Sequence, residues 1–364
     1  MRKSSVKRRL HTLARGLCFA AAAALCIWCT ADNLLPVLRT HGRTWLLYSA
    51  GLRPVSSPST SPMPSASPAP TPEPNALLFP SAGPLSVWQE PAPAATPDPS
   101  RETGTVEILR MSPGKAVDCF TVKDETGTGL DLEKELQNAP ALDIRRDGTP
   151  MVLLYSTHTT ESYILEGNGD WYYLDDDFRS LDPAKNVVSV AAEAAKVIEA
   201  GGFGVIHDTT VHDNPAYSGS YSRSMETIQK NLAAHPTIQI TVDVHRDSFG
   251  QSGTTMYKPV AEIDGQDAAQ IMILTGCDLS EDPLFPGWRD NLHLALRLQQ
   301  KGETLFPGLF RPLYFCRRNY NMHATPGSLL AEVGTDVNTL SEARYAGRLL
   351  GETILAVLND LAAE

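Results

Sequence analysis

Residues 238–248 constrain the fold of this chain more than any other stretch. β-Branched residues alternate along it as far as Val244, and the pattern then stops at His245, Arg246 and Asp247. An alternation of period two predicts a strand with one face in the core. Ligands of open α/β sheets bind beyond the carboxyl ends of the strands, so a strand that ends in histidine and charged residues indicates a site at that edge.

Two other strand-like runs end in the same way. Residues 151–155 lead into His158 and Glu161, and residues 329–331 lead into Glu332. If the three strands are parallel, their ends lie at one edge of the sheet and these side chains meet there.

Helix and strand patterns alternate from residue 104 onward. A helix is predicted from Asp182, which acts as its cap, to a left-handed end at Gly201 and Gly202. Its apolar positions recur every three or four residues, at Val187, Val190, Ala191, Ala194, Val197 and Ile198. Other predicted helices are 130–136, 224–234, 291–301 and 341–358, and other predicted strands are 106–109, 120–122, 203–206, 256–259 and 270–275. This order predicts an α/β fold with an open, mainly parallel or mixed sheet and helices on both faces. Residues 164–181 are predicted to be a long loop.

Composition divides the chain into four segments. Residues 1–15 are basic and residues 16–31 are apolar and uncharged, which predicts a cytoplasmic segment followed by a transmembrane signal anchor. A cleaved signal peptide is the alternative, because the apolar run is short against the ~20 residues of a spanning helix. Residues 32–103 are rich in Pro, Ser and Thr and predict an extended extracytoplasmic linker. Residues 104–364 are long enough for one well-buried domain, the predicted catalytic domain.

Charge and cysteine usage exclude several classes of protein. The net charge is −11, and since residues 1–30 hold six basic residues and no acid, the remainder carries −17. So acidic a body does not bind nucleic acid through its charge. Cys119, Cys277 and Cys316 are scattered through the body without metal-finger spacing, which indicates buried thiols.

The residues at the three strand ends match the needs of a zinc hydrolase. Such a site has three protein ligands from histidine and carboxylate, one open position for water, and a nearby carboxylate that moves protons. We predict His158, Glu161 and His245 as the ligands and Glu332 as the catalytic acid and base. Asp182 and Asp208 compete with Glu161 for the third ligand position.

Residues around the predicted ligands are given supporting roles. Asp243 or Asp247 orients His245 through its second ring nitrogen, and Arg246 holds a carboxylate of the substrate. Arg223 is predicted to line the groove and His207 to lie near the site. Asn321 and Asn338 are predicted to fix the loops around Glu332. Four other histidines are predicted to be surface residues: His212, His235, His293 and His323.

Several blocks of the sequence resemble the stage II sporulation protein P family. The blocks are Leu-Leu-Tyr-Ser-Thr-His158-Thr-Thr-Glu161-Ser-Tyr, Gly-Val-Ile-His207-Asp208, Ser-Tyr221-Ser-Arg223-Ser, Val-Asp243-Val-His245-Arg246-Asp247-Ser, Tyr320-Asn321 and Leu-Leu-Ala-Glu332-Val-Gly334-Thr-Asp336-Val-Asn338. They occur in the family's order from about residue 105 to the end. The resemblance implies a zinc-dependent N-acetylmuramoyl-L-alanine amidase that trims peptidoglycan during engulfment and also cleaves peptide cross-links. It further implies work at the sporulation membrane beside a lytic transglycosylase and a small membrane protein.

The sequence departs from the family's pattern at two positions. Ser156 stands where family members often have a histidine, and Ala184 stands where related amidases place a glutamate ligand. These departures support an alternative function, a catalytically degenerate protein that binds peptidoglycan or scaffolds the engulfment machinery. A peptidase that cuts only the cross-links is a second alternative.

Overall fold

The computed structural model describes residues 96–165, 169–281 and 283–363. The predicted anchor at 16–31 and the linker as far as residue 95 lie outside the described residues. No helix among those that are described has the length and apolar character needed to cross a membrane.

The described chain contains fourteen strands and five helices. The strands are β1 (Thr103–Ile108), β2 (Lys115–Val117), β3 (Phe120–Asp124), β4 (Pro150–Tyr155), β5 (Trp171–Tyr173), β6 (Gly204–His207), β7 (Ile240–Asp247), β8 (Gln251–Ser252), β9 (Thr255–Lys258), β10 (Val260–Ile263), β11 (Gln266–Ala269), β12 (Ile271–Gly276), β13 (Leu313–Cys316) and β14 (Gly327–Thr335). The helices are α1 (Leu132–Leu136), α2 (Val187–Ala200), α3 (Ser220–Ala234), α4 (Trp288–Leu305) and α5 (Leu340–Ala363).

Eight strands form one mixed sheet in the order β2-β3-β13-β12-β14-β7-β4-β6. Strands β14, β7, β4 and β6 run parallel to one another, and β12 runs antiparallel to β14. The predicted α/β fold with a mixed sheet is therefore confirmed. The three strands whose ends carry the predicted site are adjacent and parallel, which is the condition for their side chains to meet.

Side chains alternate between the two faces of β4, as a period of two requires. Val152 and Leu154 pack in the main core, which also holds the apolar faces of α2, α4 and α5. Leu153 and Tyr155 point the other way and pack with Ile228 of α3. The sheet thus carries helices on both faces, and α3 lies alone among the long described helices on the second face.

A smaller sheet in the order β5-β1-β9-β8 lies beside the main one. Strand β5 falls inside residues 164–181, which were predicted to be a loop without strands. The extended backbone of β1 supplies its hydrogen-bond partners, and local composition does not encode that pairing. A separate apolar cluster packs this sheet against the segment after β4 and consists of Val106, Ile164, Tyr172, Phe178, Met256 and Val337.

The start of α2 differs from the prediction. The helix begins at Val187, and the buried side chain of Asn186 caps it by accepting a hydrogen bond from the backbone N of Val188 at 2.9 Å. Asp182 instead accepts from the backbone N of Ala184 in the preceding turn. The predicted apolar face is confirmed, since all six of its residues are buried, and Gly202 has the left-handed φ of 88° expected at the helix end.

The first turn of α5 is joined to β9 by a buried ion pair. Thr339 and Glu342 form a capping box, in which each backbone N–H donates to the other residue's side-chain oxygen, at 3.0 and 3.1 Å. The second carboxylate oxygen of Glu342 accepts from Lys258 Nζ at 2.6 Å, and both side chains are 7% exposed. The buried positive charge of Lys258 and the buried negative charge of Glu342 therefore compensate each other.

We expect Lys258→Met to lower the free energy of unfolding by about 3 kcal/mol, because it leaves the Glu342 carboxylate buried without its cation. Urea denaturation of the two proteins measures this loss. The matched control is Lys196→Met, since Lys196 pairs with Glu193 at 3.1 Å but is 51% exposed, and its loss is expected to stay below about 1 kcal/mol. Equal losses for the two variants would contradict the prediction.

Candidate active site

Strands β4, β7 and β14 place the predicted site residues together. Glu332 on β14 pairs directly with His245 on β7, and Asp243 pairs with Tyr155 at the end of β4. His158 and Glu161 follow β4 in a buried turn, in which the backbone N of Glu161 donates to the carbonyl of His158 at 3.0 Å. His245 lies within its strand rather than at the tip, because the ladder between β7 and β14 continues to Asp247.

The imidazole of His245 lies between two carboxylates. Its Nδ1 is 3.4 Å from Glu161 Oε2, and its Nε2 is 2.9 Å from Asp243 Oδ1. The Nε2 contact is short but not directed as a hydrogen bond, so Nε2 has no hydrogen-bond partner among the described residues. Burial lowers the pKa of His245, but the charges of Asp243 and Glu161 outweigh it and raise the pKa well above its ordinary value. The surroundings therefore favour positive charge at this position.

Both carboxylates are fixed by the turn and strand that carry them. Asp243 is fully buried and accepts from the backbone N and the hydroxyl of Thr157, at 2.7 and 2.6 Å. Glu161 Oε2 accepts from the backbone N of Arg246 at 3.2 Å, and Glu161 Oε1 lies 3.9 Å from the guanidinium of Arg179. Burial raises the pKa of Glu161, but its contact with His245 and the nearby charges lower it below the ordinary value.

The donor atoms are compatible with zinc. Two ligands of a tetrahedral zinc ion, each about 2.1 Å from the metal, are roughly 3.4 Å apart, which is the distance between His245 Nδ1 and Glu161 Oε2. His158 lies beside them with its ring centroid 5.2 Å from that of His245, and its buried Nδ1 has no hydrogen-bond partner among the described residues. No three His, Cys, Asp or Glu side chains in the described ranges form a preformed metal-binding group. The fit therefore depends on the pair Glu161 and His245 and on the unsatisfied nitrogen of His158.

Glu332 has the protonation behaviour of an acid–base residue. Burial, with repulsion from Asp247 and Glu161, raises its pKa to about 8, although His245 and Arg311 act in the opposite direction. Its Oε2 is buried and has no hydrogen-bond partner within the described part of the chain. A carboxyl group that titrates near neutral pH accepts and releases protons readily, which suits general acid–base catalysis.

Two of the predicted supporting residues make other contacts than expected. Asp247 accepts from the guanidinium of Arg311 at 2.8 Å, so Asp243 rather than Asp247 lies against His245. Arg246 was expected to face a substrate carboxylate, but its buried side chain donates to the backbone carbonyls of Ser162 and Phe178, at 3.1 and 3.0 Å. Those bonds, with the backbone N of Arg246 on Glu161, tie the turn after β4 to β7.

The remaining supporting residues fix the loops around the site. Arg223 donates to three carbonyl groups of the segment 212–218. Asn321 donates to the carbonyl of Tyr221 and the hydroxyl of Ser224, at 2.8 and 3.0 Å. Asn338 accepts from the backbone N of Thr335 at 2.8 Å and so closes the turn after β14.

The two competitors for the third ligand position lie in other surroundings. Asp182 is exposed beside Lys185. Asp208 accepts from the backbone N of Thr210 and from Asn231 Nδ2. Neither has a described contact with His158 or His245. Glu161 is the candidate that the turn after β4 places against His245.

His207 ends β6 at the edge of the sheet, where it pairs with Leu154, and no described contact joins it to the site. Burial lowers its pKa from 6.5 to about 4. The unfolded chain therefore takes up a proton near pH 6.5 and the folded chain only near pH 4. This contribution to stability is present above pH 6.5 and is lost as the pH falls toward 4, by up to roughly 3 kcal/mol.

We expect His207→Gln to remove this acid sensitivity, because glutamine cannot take up the proton. Urea denaturation at pH 8 and pH 4.5 compares the variant with the parent protein. The variant should gain roughly 2–3 kcal/mol relative to the parent between the two pH values. An unchanged difference between the two proteins would contradict the role of His207.

Several site residues lay outside the sequence prediction. They lie in loops and at strand ends, where the sequence has no periodic pattern, and they are Arg179, Asp213, Thr157, Tyr217 and Arg311. Two histidines expected at the surface are buried. His212 contacts the carbonyl of Ser156 and the hydroxyl of Thr227, at 2.8 and 2.9 Å, and His293 contacts Glu135 at 2.7 Å. The partners of both histidines lie far away in the sequence, so no local pattern indicated their burial.

Sequence comparison identifies one family. The model of the family described as "Stage II sporulation protein P (SpoIIP)" matches residues 117–355 of this chain. The stage II sporulation protein P of Bacillus subtilis (strain 168) is 27% identical over 207 residues, which are 54% of this chain and 48% of that protein. The match thus spans about half the length of this curated relative.

Comparison with solved structures finds distant likeness to amidases. The CwlD amidase of Clostridioides difficile, in complex with the GerS lipoprotein, is 11% identical and has a TM-score of 0.38, with 58% of this chain and 98% of that chain covered. The N-acetylmuramoyl-L-alanine amidase AmiC2 of Nostoc punctiforme is 10% identical and has a TM-score of 0.34, with 60% of this chain and 99% of that chain covered.

Proposed function

Because the chain belongs to the stage II sporulation protein P family, we propose that it is a zinc hydrolase that cleaves amide bonds of peptidoglycan during engulfment. One observation carries the proposal: His245 Nδ1 lies 3.4 Å from Glu161 Oε2, and Glu332, with its free Oε2, lies opposite His245 on the next strand. A pair of potential zinc ligands and an acid–base carboxylate thus lie side by side near the carboxyl ends of the adjacent strands β4, β7 and β14. The proposed bond is the amide between the glycan and the stem peptide, and cross-link cleavage is proposed as a further activity of the same site.

His158, Glu161 and His245 would hold the zinc ion, which when bound polarises the amide carbonyl and acidifies water. The Asp243 carboxylate, 2.9 Å from Nε2, holds the imidazole of His245 in place by charge attraction. Glu332 accepts the proton of the attacking water at Oε2 and delivers it to the amide nitrogen as the C–N bond breaks. The raised pKa of Glu332 suits both halves of this transfer.

The segments before the proposed catalytic domain give the enzyme its location. Residues 16–31 act as a membrane anchor that leaves residues 1–15 in the cytoplasm, and residues 32–103 act as an extracytoplasmic linker. An extended linker of this composition reaches on the order of 100 Å from the membrane. The domain from residue 104 would then act on peptidoglycan, beside a lytic transglycosylase and a small membrane protein of the engulfment complex.

A second function is favoured by specific observations. Ser156 and Ala184 depart from the family's pattern, and the described residues contain no preformed group of three metal ligands. A protein with these features that binds no zinc would be a peptidoglycan-binding scaffold of the engulfment machinery.

The experiment measures zinc content and products together. The full-length protein, purified in detergent, is analysed for bound zinc and incubated with purified sacculi, and the released fragments are identified by mass spectrometry. One zinc per chain and stem peptides with a free N-terminal alanine are expected. Fragments cut only at cross-links would reassign the enzyme as an endopeptidase. Absence of zinc and of products, with sacculus binding retained, would establish the scaffold.

A further inference from the structure

The segment 212–219, called here the Tyr217 loop, is clamped by one arginine. Arg223 of α3 donates through Nε to the carbonyl of His212 at 2.5 Å, through Nη1 to that of Ser218 at 3.1 Å, and through Nη2 to that of Ala216. Gly219 closes the loop with φ 83°, and a Cβ there would lie 3.0 Å from Arg223 Nη1. The planar guanidinium thus fixes the backbone on both sides of Tyr217.

A second anchor holds the same loop against the turn after β4. Asp213 is buried and accepts from the backbone N and the hydroxyl of Thr160, at 3.1 and 2.7 Å. Arg179 Nη1 completes the anchor, 2.8 Å from Asp213 Oδ2. The loop is therefore tied to the turn that carries His158 and Glu161.

The Tyr217 ring lies flat on His158. The ring centroids are 4.3 Å apart and the planes differ by 9°, while Tyr221 and His245 meet His158 edge-on, at 5.6 and 5.2 Å. Tyr217 is 59% exposed, so burial in the core does not account for its position. The clamp on the loop holds an otherwise exposed ring against one histidine.

His158 lacks the contact that usually orients a histidine ligand. Ligating histidines donate their second ring nitrogen to a carboxylate, carbonyl or water, which fixes the ring plane. Neither ring nitrogen of His158 has a hydrogen-bond partner among the residues described, so the nitrogen that does not bind zinc is not oriented in this way, whereas His245 has Asp243 beside it. Aromatic contacts surround His158 instead.

We infer that Tyr217 is a positioning residue for His158, and that its ring face, presented by the loop clamped by Arg223, fixes the imidazole plane in place of a second hydrogen bond. The inference rests on the proposed function, in which His158 is a zinc ligand. Loss of an outer contact of this kind weakens metal affinity by 10- to 100-fold in known sites, and an effect on the order of 10-fold is expected here.

The test is a zinc titration of the full-length protein in competition with a chromophoric chelator. Tyr217→Ala should raise the zinc dissociation constant on the order of 10-fold, and Tyr217→Phe, which keeps the ring, should match the parent. Arg223→Lys should shift it in the same direction as Tyr217→Ala, because lysine cannot bind three carbonyls in a fixed plane. Leu284→Ala changes an 81% exposed side chain outside the site and is the control.

Activity gives a second readout, because added zinc restores activity that is lost through weaker zinc binding but not activity that is lost through misfolding. The activity lost in Tyr217→Ala at limiting zinc should return at saturating zinc. Tyr217→Leu, which keeps apolar bulk without an aromatic face, repeats the test should the alanine variant unfold. Zinc affinity in Tyr217→Ala and Tyr217→Leu equal to the parent's overturns the positioning role alone. A parent protein that binds no zinc overturns the proposed function and this inference together.

Discussion

Glu332→Gln is expected to lower the rate of stem-peptide release from sacculi by about 10²- to 10⁴-fold while the zinc content of the protein stays unchanged. Glutamine keeps the shape of the side chain but cannot take the proton of water. Glu332 lies opposite His245 on the neighbouring strand, with a buried Oε2 that no described group uses. The change therefore removes proton transfer and leaves the predicted ligands in place.

The matched control for Glu332 is Glu199→Gln, which makes the same chemical change at an exposed position at the end of α2. Initial rates of peptide release and zinc per chain are measured for both variants. Burial raises the pKa of Glu332 to about 8, so the folded protein already carries this carboxyl group in protonated form to a large extent at pH 7. Its replacement by the neutral glutamine should therefore leave the fold intact. A retained rate in Glu332→Gln would remove this residue from the mechanism.

His245→Ala is expected to abolish zinc binding, because it removes the side chain that faces Glu161 Oε2 at 3.4 Å. The change also leaves Asp243 and Glu161 buried without the cation between them, which should lower the free energy of unfolding by about 3–5 kcal/mol. Metal analysis and urea denaturation measure the two effects. His245→Gln fills more of the space, so it tests zinc binding if the alanine variant fails to fold.

The matched control for His245 is His323→Ala, since His323 is exposed and its ring contacts Asn319 at 2.6 Å, away from the site. This variant should keep its zinc and its stability. Unchanged zinc content in both His245 variants would exclude His245 as a ligand.

The zinc affinity of the parent protein should rise with pH. The surroundings raise the pKa of His245, and zinc must displace the proton that this histidine holds at lower pH.

Much of the fold followed from local patterns. The period-two runs at 151–155 and 238–248 form β4 and β7, and the apolar spacing of 187–198 is buried as predicted. These features depend on which face of one element packs against the core. The spacing of apolar residues within that element indicates this face directly. The short strand β5 escaped prediction because its ladder depends on β1, which lies far away in the sequence.

The candidate site was likewise predicted from the sequence only in part. From the sequence alone, His158, His245 and Glu332 could be placed near the carboxyl ends of three strands, since an apolar strand run precedes each of them. The tertiary contacts were needed to show that Asp243 rather than Asp247 lies against His245, and that Asp247 binds Arg311. They were also needed to place Tyr217 on His158 through the clamp of Arg223. Such contacts are set by hydrogen bonds and ring packing between distant segments, and no periodicity within one element encodes them.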